Sequence, residues 1–379
     1  MSGTRTSPAW CAPRGGRAAT RTGFVTDVDH LHALPEGERE QLRRVSARFD
    51  FRVSEYYLDL IDWTDPADPL RALIIPHPDE LSEFGALDAS NEASNVVAPG
   101  VQHKYADTAL VLCVDACGGY CRYCFRKRLF MRDTGEVARD LGPALDYIAE
   151  HAEITDVLLT GGDPLLLPTE RLVGIISALR EMPHVRTVRI GTKMLAFDPF
   201  RVLDDPRLVD LLSEESGPGG RVYVMTHFDH PRELTDPAIE AVDRLVRHGI
   251  ICANQCPIAA GINDDAAVLR ELFEVTTAAG CPQYYLFQGR PTYGNAPFRV
   301  PIVRGWELFS RARVHVSGLG RRARFCMSHE SGKIEVVGVD ERHIFARYHR
   351  ARDAVDHDRM LVCERDDSAV WLDDLVVCA

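Results

Sequence analysis

Ala109-Leu-Val-Leu-Cys-Val-Asp-Ala-Cys117-Gly-Gly-Tyr-Cys121-Arg-Tyr-Cys124 sets an apolar run directly before a C-x3-C-x2-C triplet. The run over 109–114 is continuous rather than alternating, the pattern of a strand buried on both faces. Three thiolates at the triplet's spacing can hold three irons of a cubane [4Fe–4S] cluster and leave the fourth iron without a protein ligand. An open metal position is where exogenous chemistry takes place. The alternative is a zinc or purely electron-transfer site, which needs a fourth Cys or His close by, and none follows at a compact spacing.

Outward from this stretch the same unit recurs. Apolar runs at 109–114, 156–160, 185–190, 221–226, 250–256 and 284–288 alternate with amphipathic patterns at 139–151, 169–181, 205–214, 236–248 and 265–279. Strands of this kind alternating with helices predict an α/β protein with a parallel sheet covered by helices. Six strands suit an incomplete TIM-like (β/α)6 barrel, with an open doubly wound sheet as the alternative because strand count does not prove closure. The unusual residues follow the strands: the triplet after the first, Gly161-Gly162-Asp163-Pro164 after the second, Gly191-Thr192-Lys193 after the third. Thr226-His227-Phe228-Asp229-His230-Pro231 follows the fourth, Asn254-Gln255 ends the fifth and Gln288-Gly289-Arg290 closes the sixth. Carboxyl ends of parallel strands are where such proteins build their sites. Residues 34–48 read as an exposed helix with Pro at its start, and 314–317 and 334–339 as strands, the second after a Ser331-Gly332 turn. The expected organisation is a disordered tail over 1–25, an N-terminal helical extension over 26–100, the barrel over 101–300 and a C-terminal α+β segment and cover over 301–379.

The chain has 379 residues, 45% hydrophobic, with a net charge of −12, enough for one large barrel and unfavourable for a nucleic-acid-binding surface. No apolar run approaches the roughly 20 residues that span a bilayer, so a cytoplasmic protein without a membrane partner is expected. Eleven cysteines in a long chain do not read as a disulfide framework, and Cys113, Cys252, Cys256, Cys281 and Cys326 fall in apolar stretches as small buried residues. Residues 1–22 carry no acid and have the composition of a transit peptide or a plain disordered tail; lacking an apolar helical face, they are expected to be a tail. Of 44 Lys and Arg residues only Lys104, Lys127, Lys193 and Lys333 are lysines. Arginine has been accepted wherever a generic cation serves, and only a lysine amine can form a Schiff base.

Gly161-Gly162-Asp163-Pro164 is a loop whose backbone can approach a ligand closely, with a carboxylate placed to accept from an ammonium; alone it is also an ordinary βα turn. Together with the triplet it resembles the radical S-adenosylmethionine superfamily. Tyr56-Tyr57-Leu-Asp-Leu-Ile-Asp62, Pro99-Gly-Val-Gln-His103-Lys104-Tyr105, Arg189-Ile-Gly-Thr192, Thr226-His227-Phe228 and Gly261-Ile-Asn-Asp264 narrow the resemblance to the lysine 2,3-aminomutase family, over about residues 50–340. The resemblance implies an isomerase that turns an α-amino acid into a β-amino acid. Its [4Fe–4S] cluster, on Cys117, Cys121 and Cys124, would cleave S-adenosylmethionine to a 5′-deoxyadenosyl radical with electrons from a flavodoxin or ferredoxin. Gly161, Gly162, Asp163, Thr192, His227 and Gln255 would bind S-adenosylmethionine. Pyridoxal phosphate would sit on Lys333 with its phosphate at Lys104 and Tyr105. Arg126 matches the arginine that grips the substrate carboxylate.

Two positions depart from the lysine-acting pattern. The acids that hold the distal ammonium of lysine are replaced by Arg290 and Cys326. A cation and a thiol there remove the ammonium's partner and add like-charge repulsion, which disfavours lysine and leaves an acidic or neutral polar amino acid. Asp265 stands where some members have a zinc-binding Cys, so no structural zinc is expected. The rival readings are a lysine 2,3-aminomutase proper, a modifier of a protein lysine on the same scaffold, and an Fe–S electron carrier. A homo-oligomer is expected.

Overall fold

Among the residues described by the computed structural model, 23–131 and 134–378, the chain forms fourteen strands. They are β1 (Phe24–Val25), β2 (Val53–Ser54), β3 (Val96–Ala98), β4 (Val101–Tyr105), β5 (Thr108–Val114), β6 (Asp156–Gly161) and β7 (Thr187–Thr192). The rest are β8 (Arg221–Thr226), β9 (Ile251–Pro257), β10 (Gln283–Phe287), β11 (Arg324–His329), β12 (Gly332–Val339), β13 (His343–Ala351) and β14 (Met360–Glu364). β1 and β2 pair with each other, so the last residues of the expected tail are strand; the remainder of that tail lies outside the described residues. β3 to β14 make one twelve-stranded sheet whose spatial order follows the chain without reversal. A doubly wound sheet requires a reversal at its switch point, so that alternative is not the topology.

β5 through β11 run parallel, and antiparallel strands flank them on both sides. Crossover helices Gly142–Glu150, Thr169–Arg180, Pro206–Glu214, Asp236–Arg247, Ala266–Ala279 and Ile302–Arg313 join the parallel strands. Their starts are specified locally: the side chains of Asp205, Thr235 and Asp265 accept hydrogen bonds from backbone N–H groups of the first turn. Their inner faces are specified by period: Ala238, Ala241, Val242 and Leu245 recur at helical spacing and are fully buried against the sheet.

Two expectations fail here. Residues 314–317 form no strand; they lie just past helix Ile302–Arg313, and the alternation of Val314 and Val316 reflects a single apolar contact, Val316 being buried and Val314 exposed. The seventh parallel strand is β11, whose polar lead-in Arg321-Arg-Ala-Arg324 conceals the buried run Phe325-Cys326-Met327. The 26–100 segment carries short helices at Glu36–Ser46, Glu55–Leu58 and Pro69–Ile74, with β2 and β3 among them.

The flanks of the sheet meet. The Lys104 ammonium on β4 donates to the His329 carbonyl on β11, the Ser90 hydroxyl donates to the Ser328 carbonyl at 3.0 Å, and Arg350 on β13 donates to Asp107 and Thr108 beside β5. The sheet therefore curls until strands seven or more places apart in its order touch, and its concave side encloses a cavity. Among the described residues no helix is long and apolar enough to cross a membrane.

Candidate active site

A cavity of about 350 Å³ extends along the concave face from the carboxyl ends of the parallel strands down to Thr108, Arg189 and Lys333. It is lined by Cys117, Cys121, Cys124, Gly161, Gly162, Asp163, Thr192, His227 and Gln255 at one end. Lys104, Tyr105, Arg126, Arg290 and Lys333 also line it, so one chamber collects every expected site residue except Cys326.

The cysteine loop is pinned from outside. The buried Arg122 guanidinium is bidentate on the buried Glu80 carboxylate (Nε to Oε1 3.0 Å, Nη2 to Oε2 2.9 Å) and donates to the Asp50 carbonyl. The Lys127 ammonium donates to the Arg122 carbonyl at 2.7 Å, so Lys127 is structural rather than solvated. Burial pushes the Cys117, Cys121 and Cys124 thiols up from their ordinary range, and Asp163 and the neighbouring thiols push Cys117 further. Three half-buried thiols that resist ionisation alone form a donor set suited to a cluster, whose positive charge makes thiolates of its ligands.

Gly161 and Gly162 allow the next loop to lie on this one. Gly161 has φ +109°, and a Cβ there would stand 2.4 Å from the Val114 carbonyl; at Gly162 it would stand 2.1 Å from the Ala116 carbonyl. The Asp163 carboxylate lines the cavity and is engaged by the loops around it. It accepts from Thr192 Oγ1 at 2.7 Å, from the backbone N–H groups of Lys193 (2.7 Å) and Met194 (3.1 Å), and from that of Leu165 (3.0 Å). Burial raises its pKa and these donors oppose that rise. Asp163 and Thr192 thus bracket the loops after β6 and β7.

Lys193 emerges as a residue whose role the sequence did not specify. Its buried ammonium donates to Asp229 Oδ2 and Glu233 Oε1, each at 2.6 Å, and to the His227 carbonyl at 2.9 Å. Tyr57 donates to Glu233 at 2.7 Å, and Tyr123, between the second and third cysteines, donates to Asp229 at 2.6 Å. This network fixes the His227 loop against the cysteine loop. Lysine scarcity was the available signal: among the four lysines none is exposed, and Lys104, Lys193 and Lys333 all line the cavity.

Lys333 lies on β12, opposite Ser328 of β11, with its Nζ 4.1 Å from the Tyr285 ring centroid and 5.2 Å from that of Phe287. Burial pushes its pKa down to about 7, with Arg189, Arg350 and Lys104 adding to the shift. The opposing pull of Cys326 requires a thiolate, and burial holds that thiol near 12, so at neutral pH the pull is absent. Lys333 is therefore a poised nucleophilic amine. Burial lowers Lys104 to about 8, and Tyr105 beside it is raised to about 12 by burial. Arg350 lies 4.2 Å from the Tyr105 ring centroid, and Arg189 donates to Asp156 at 2.9 Å. Cys326 itself is fully buried and is not among the residues that line the cavity; it shares the face of β11 that carries Ser328, which does line it.

Arg126 and Arg290 converge on a carboxylate that the motifs did not flag. Glu92 accepts from Arg126 Nε (3.2 Å) and Nη2 (3.0 Å) and from Arg128 Nη2 (2.9 Å), and lies 3.5 Å from Arg290 Nη1. Burial opposes its ionisation, but the three guanidiniums win and hold it far below the usual carboxylate range.

No protein-family model matches the chain. It is 50% identical over 352 residues to a protein of Aquifex aeolicus (strain VF5) provisionally named L-lysine 2,3-aminomutase, covering 93% of this chain and 94% of that one. It is 35% identical to the L-lysine 2,3-aminomutase of Clostridium subterminale (79% and 71% covered) and 35% identical to the glutamate 2,3-aminomutase of Clostridioides difficile (strain 630) (78% and 70%). Among solved structures, a radical SAM methyltransferase from Sphaerobacter thermophilus is similar with a TM-score of 0.41 and 17% identity over 60% of this chain and 68% of that one, too distant to bear on the chemistry. The chain belongs to the radical SAM lysine 2,3-aminomutase family, and so to the isomerases. The cofactors of that family are a [4Fe–4S] cluster, S-adenosylmethionine and pyridoxal phosphate.

Proposed function

We propose that this protein is an amino acid 2,3-aminomutase that works on a free α-amino acid other than lysine. The observation that supports this reading is that the cysteine triplet and the poised amine of Lys333 line one chamber. Cys117, Cys121 and Cys124 would hold the cluster. The backbone of Gly161 and Gly162, with Thr192, His227 and Gln255, would receive S-adenosylmethionine, and Asp163 would keep those loops in register. Lys333 would carry pyridoxal phosphate, with Lys104, Tyr105 and Arg350 near its phosphate. When bound, these groups supply a hydrogen-abstracting radical and a ring that delocalises the unpaired electron as the amine moves.

The protein's own part is binding, placement and proton control. Arg126 has five N–H donors; three are used on Glu92 and Thr160 Oγ1, and the remaining two would be left for the substrate carboxylate. Lys333 gives up its proton near neutrality because its surroundings are apolar and cationic. Arg290 in place of an acid disfavours a distal ammonium, so an acidic or neutral polar side chain is preferred to that of lysine. We further propose the incomplete (β/α)6-type barrel over 101–300 with the lysine-bearing segment over 301–379, an external flavodoxin or ferredoxin as reductant, a cytoplasmic location and a homo-oligomer.

The test is to reconstitute the cluster and incubate the enzyme with reductant, S-adenosylmethionine and a panel of α-amino acids, looking for β-amino acids by mass spectrometry. A β-amino acid product is the expected result. Deoxyadenosine without any β-amino acid would remove the mutase assignment while leaving the radical chemistry.

A further inference from the structure

Taking the aminomutase reading as its starting point, we infer that Glu92 cancels the charge of Arg290, so that the side-chain end of the chamber is neutral and the substrate is an α-amino acid with an uncharged side chain. Glu92 begins the 3-10 turn Glu92–Asn95 and is 6% exposed. Three guanidiniums reach it, but Arg128 has a carboxylate of its own, donating to Glu136 from Nε at 2.9 Å and from Nη2 at 2.8 Å. Arg128 and Glu136 neutralise each other. Two positive charges, on Arg126 and Arg290, are then left against the one negative charge of Glu92.

Both remaining guanidiniums are held in place by the same ring. The Arg290 Cζ lies 3.7 Å and the Arg126 Cζ 4.9 Å from the Phe125 centroid, which keeps each beside Glu92 and away from solvent. Of the other cations lining the chamber, Lys104 is turned to the His329 carbonyl on the cofactor side, and Arg299 is exposed at the mouth, where solvent screens it. Arg350 and Arg189 each have a carboxylate partner, Asp107 and Asp156, Lys193 is held by Asp229 and Glu233 at the cysteine end, and Lys333 lies on the cofactor side. The substrate end thus carries one net positive charge.

One positive charge matches one α-carboxylate. A second carboxylate, as in glutamate, would bring an unmatched negative charge into a desolvated site, and a distal ammonium, as in lysine, an unmatched positive one; both are penalised. The walls agree with this, since Phe84, Phe125, Phe298 and Val300 line the same chamber and the buried thiol of Cys326 stays protonated. Glu92 acts through Arg290 and Arg126 and is a positioning residue, while Arg290 sets specificity by being neutralised.

The experiment uses the pyridoxal phosphate-loaded protein, titrated with uncharged α-amino acids, glutamate and lysine while cofactor absorbance reports binding, with β-amino acid formation measured in parallel. Wild type is expected to bind uncharged amino acids at least about ten-fold more tightly than glutamate or lysine. Glu92→Gln bares Arg290 and should raise glutamate relative to the uncharged amino acids by about ten-fold, and Glu92→Gln with Arg290→Gln should cancel that gain, which loss of structure alone would not do. If Glu92→Gln does not fold, Arg290→Gln alone decides: it removes the positive charge and should raise lysine relative to glutamate. A wild-type preference for glutamate or lysine, or ratios that do not move in folded variants, overturns the inference. If the binding order holds and no β-amino acid forms, the selectivity stands and the aminomutase reading falls.

Discussion

A lysine whose amine titrates near 7 instead of 10.5 changes both reactivity and stability. Between those two values the unfolded chain holds a proton that folded Lys333 has released, so the stability of the cofactor-free protein should rise with pH across that window. Below about 7 both states are protonated and the full cost of burying the ammonium is present. Lys333→Met should therefore raise the melting temperature of the cofactor-free protein at pH 7, by about 2–4 kcal/mol of stability, and flatten the slope between pH 7 and 10. Calorimetry over that range checks this, and the same variant should lose the visible absorbance of bound pyridoxal phosphate. Lys193 is the contrasting case. Its ammonium is held charged by two buried carboxylates, so Lys193→Met strands Asp229 and Glu233 and should cost about 3–5 kcal/mol in a denaturant melt. The sequence marked lysines as meaningful through their scarcity, but it could not separate these two roles. That depends on what the fold brings within 3 Å of each amine.

At the scale of elements, the strand-end loops were legible because each combines an apolar run with residues unusual for a turn. Gly161-Gly162 was read as a place of close backbone approach, and the two glycines also let their loop lie against the Val114 and Ala116 carbonyls. Gly162→Ala should push the two loops apart, destabilising the protein by about 2 kcal/mol or more and reducing iron incorporation measured per chain after reconstitution. The strand that carries Cys326 was not legible. Its apolar core is only three residues long behind a basic lead-in, and periodicity cannot identify so short a run. Glu92 was missed for another reason. It stands alone in a polar turn, and its partners lie 34, 36 and 198 residues away, so no local pattern exposes it.

For the whole molecule, the decisive feature is that the sheet's flanks meet through side chains rather than through a strand ladder. Arg350, on the far flank, donates to Asp107 and Thr108 on the near one. Arg350→Ala should loosen that seam next to Tyr105 and Lys333, weakening pyridoxal phosphate binding by about ten-fold while leaving substrate-independent cleavage of S-adenosylmethionine at the other end largely intact. A comparable loss in both measurements would mean that the seam holds the entire chamber. Strand number and order were largely readable from the repeating apolar runs, since each parallel strand needs its own buried segment. The seam was not, because its residues come from segments that look like unrelated surface.

The internal placement of every lysine has a practical corollary. An amine-directed label, a glutaraldehyde surface or a lysine-specific protease would find no ε-amine on the outer surface of the native molecule, and a small reagent would reach Lys104 and Lys333 only through the cavity. Protection of Lys333 from such a reagent by added pyridoxal phosphate would then read out as a change in a nearly silent background.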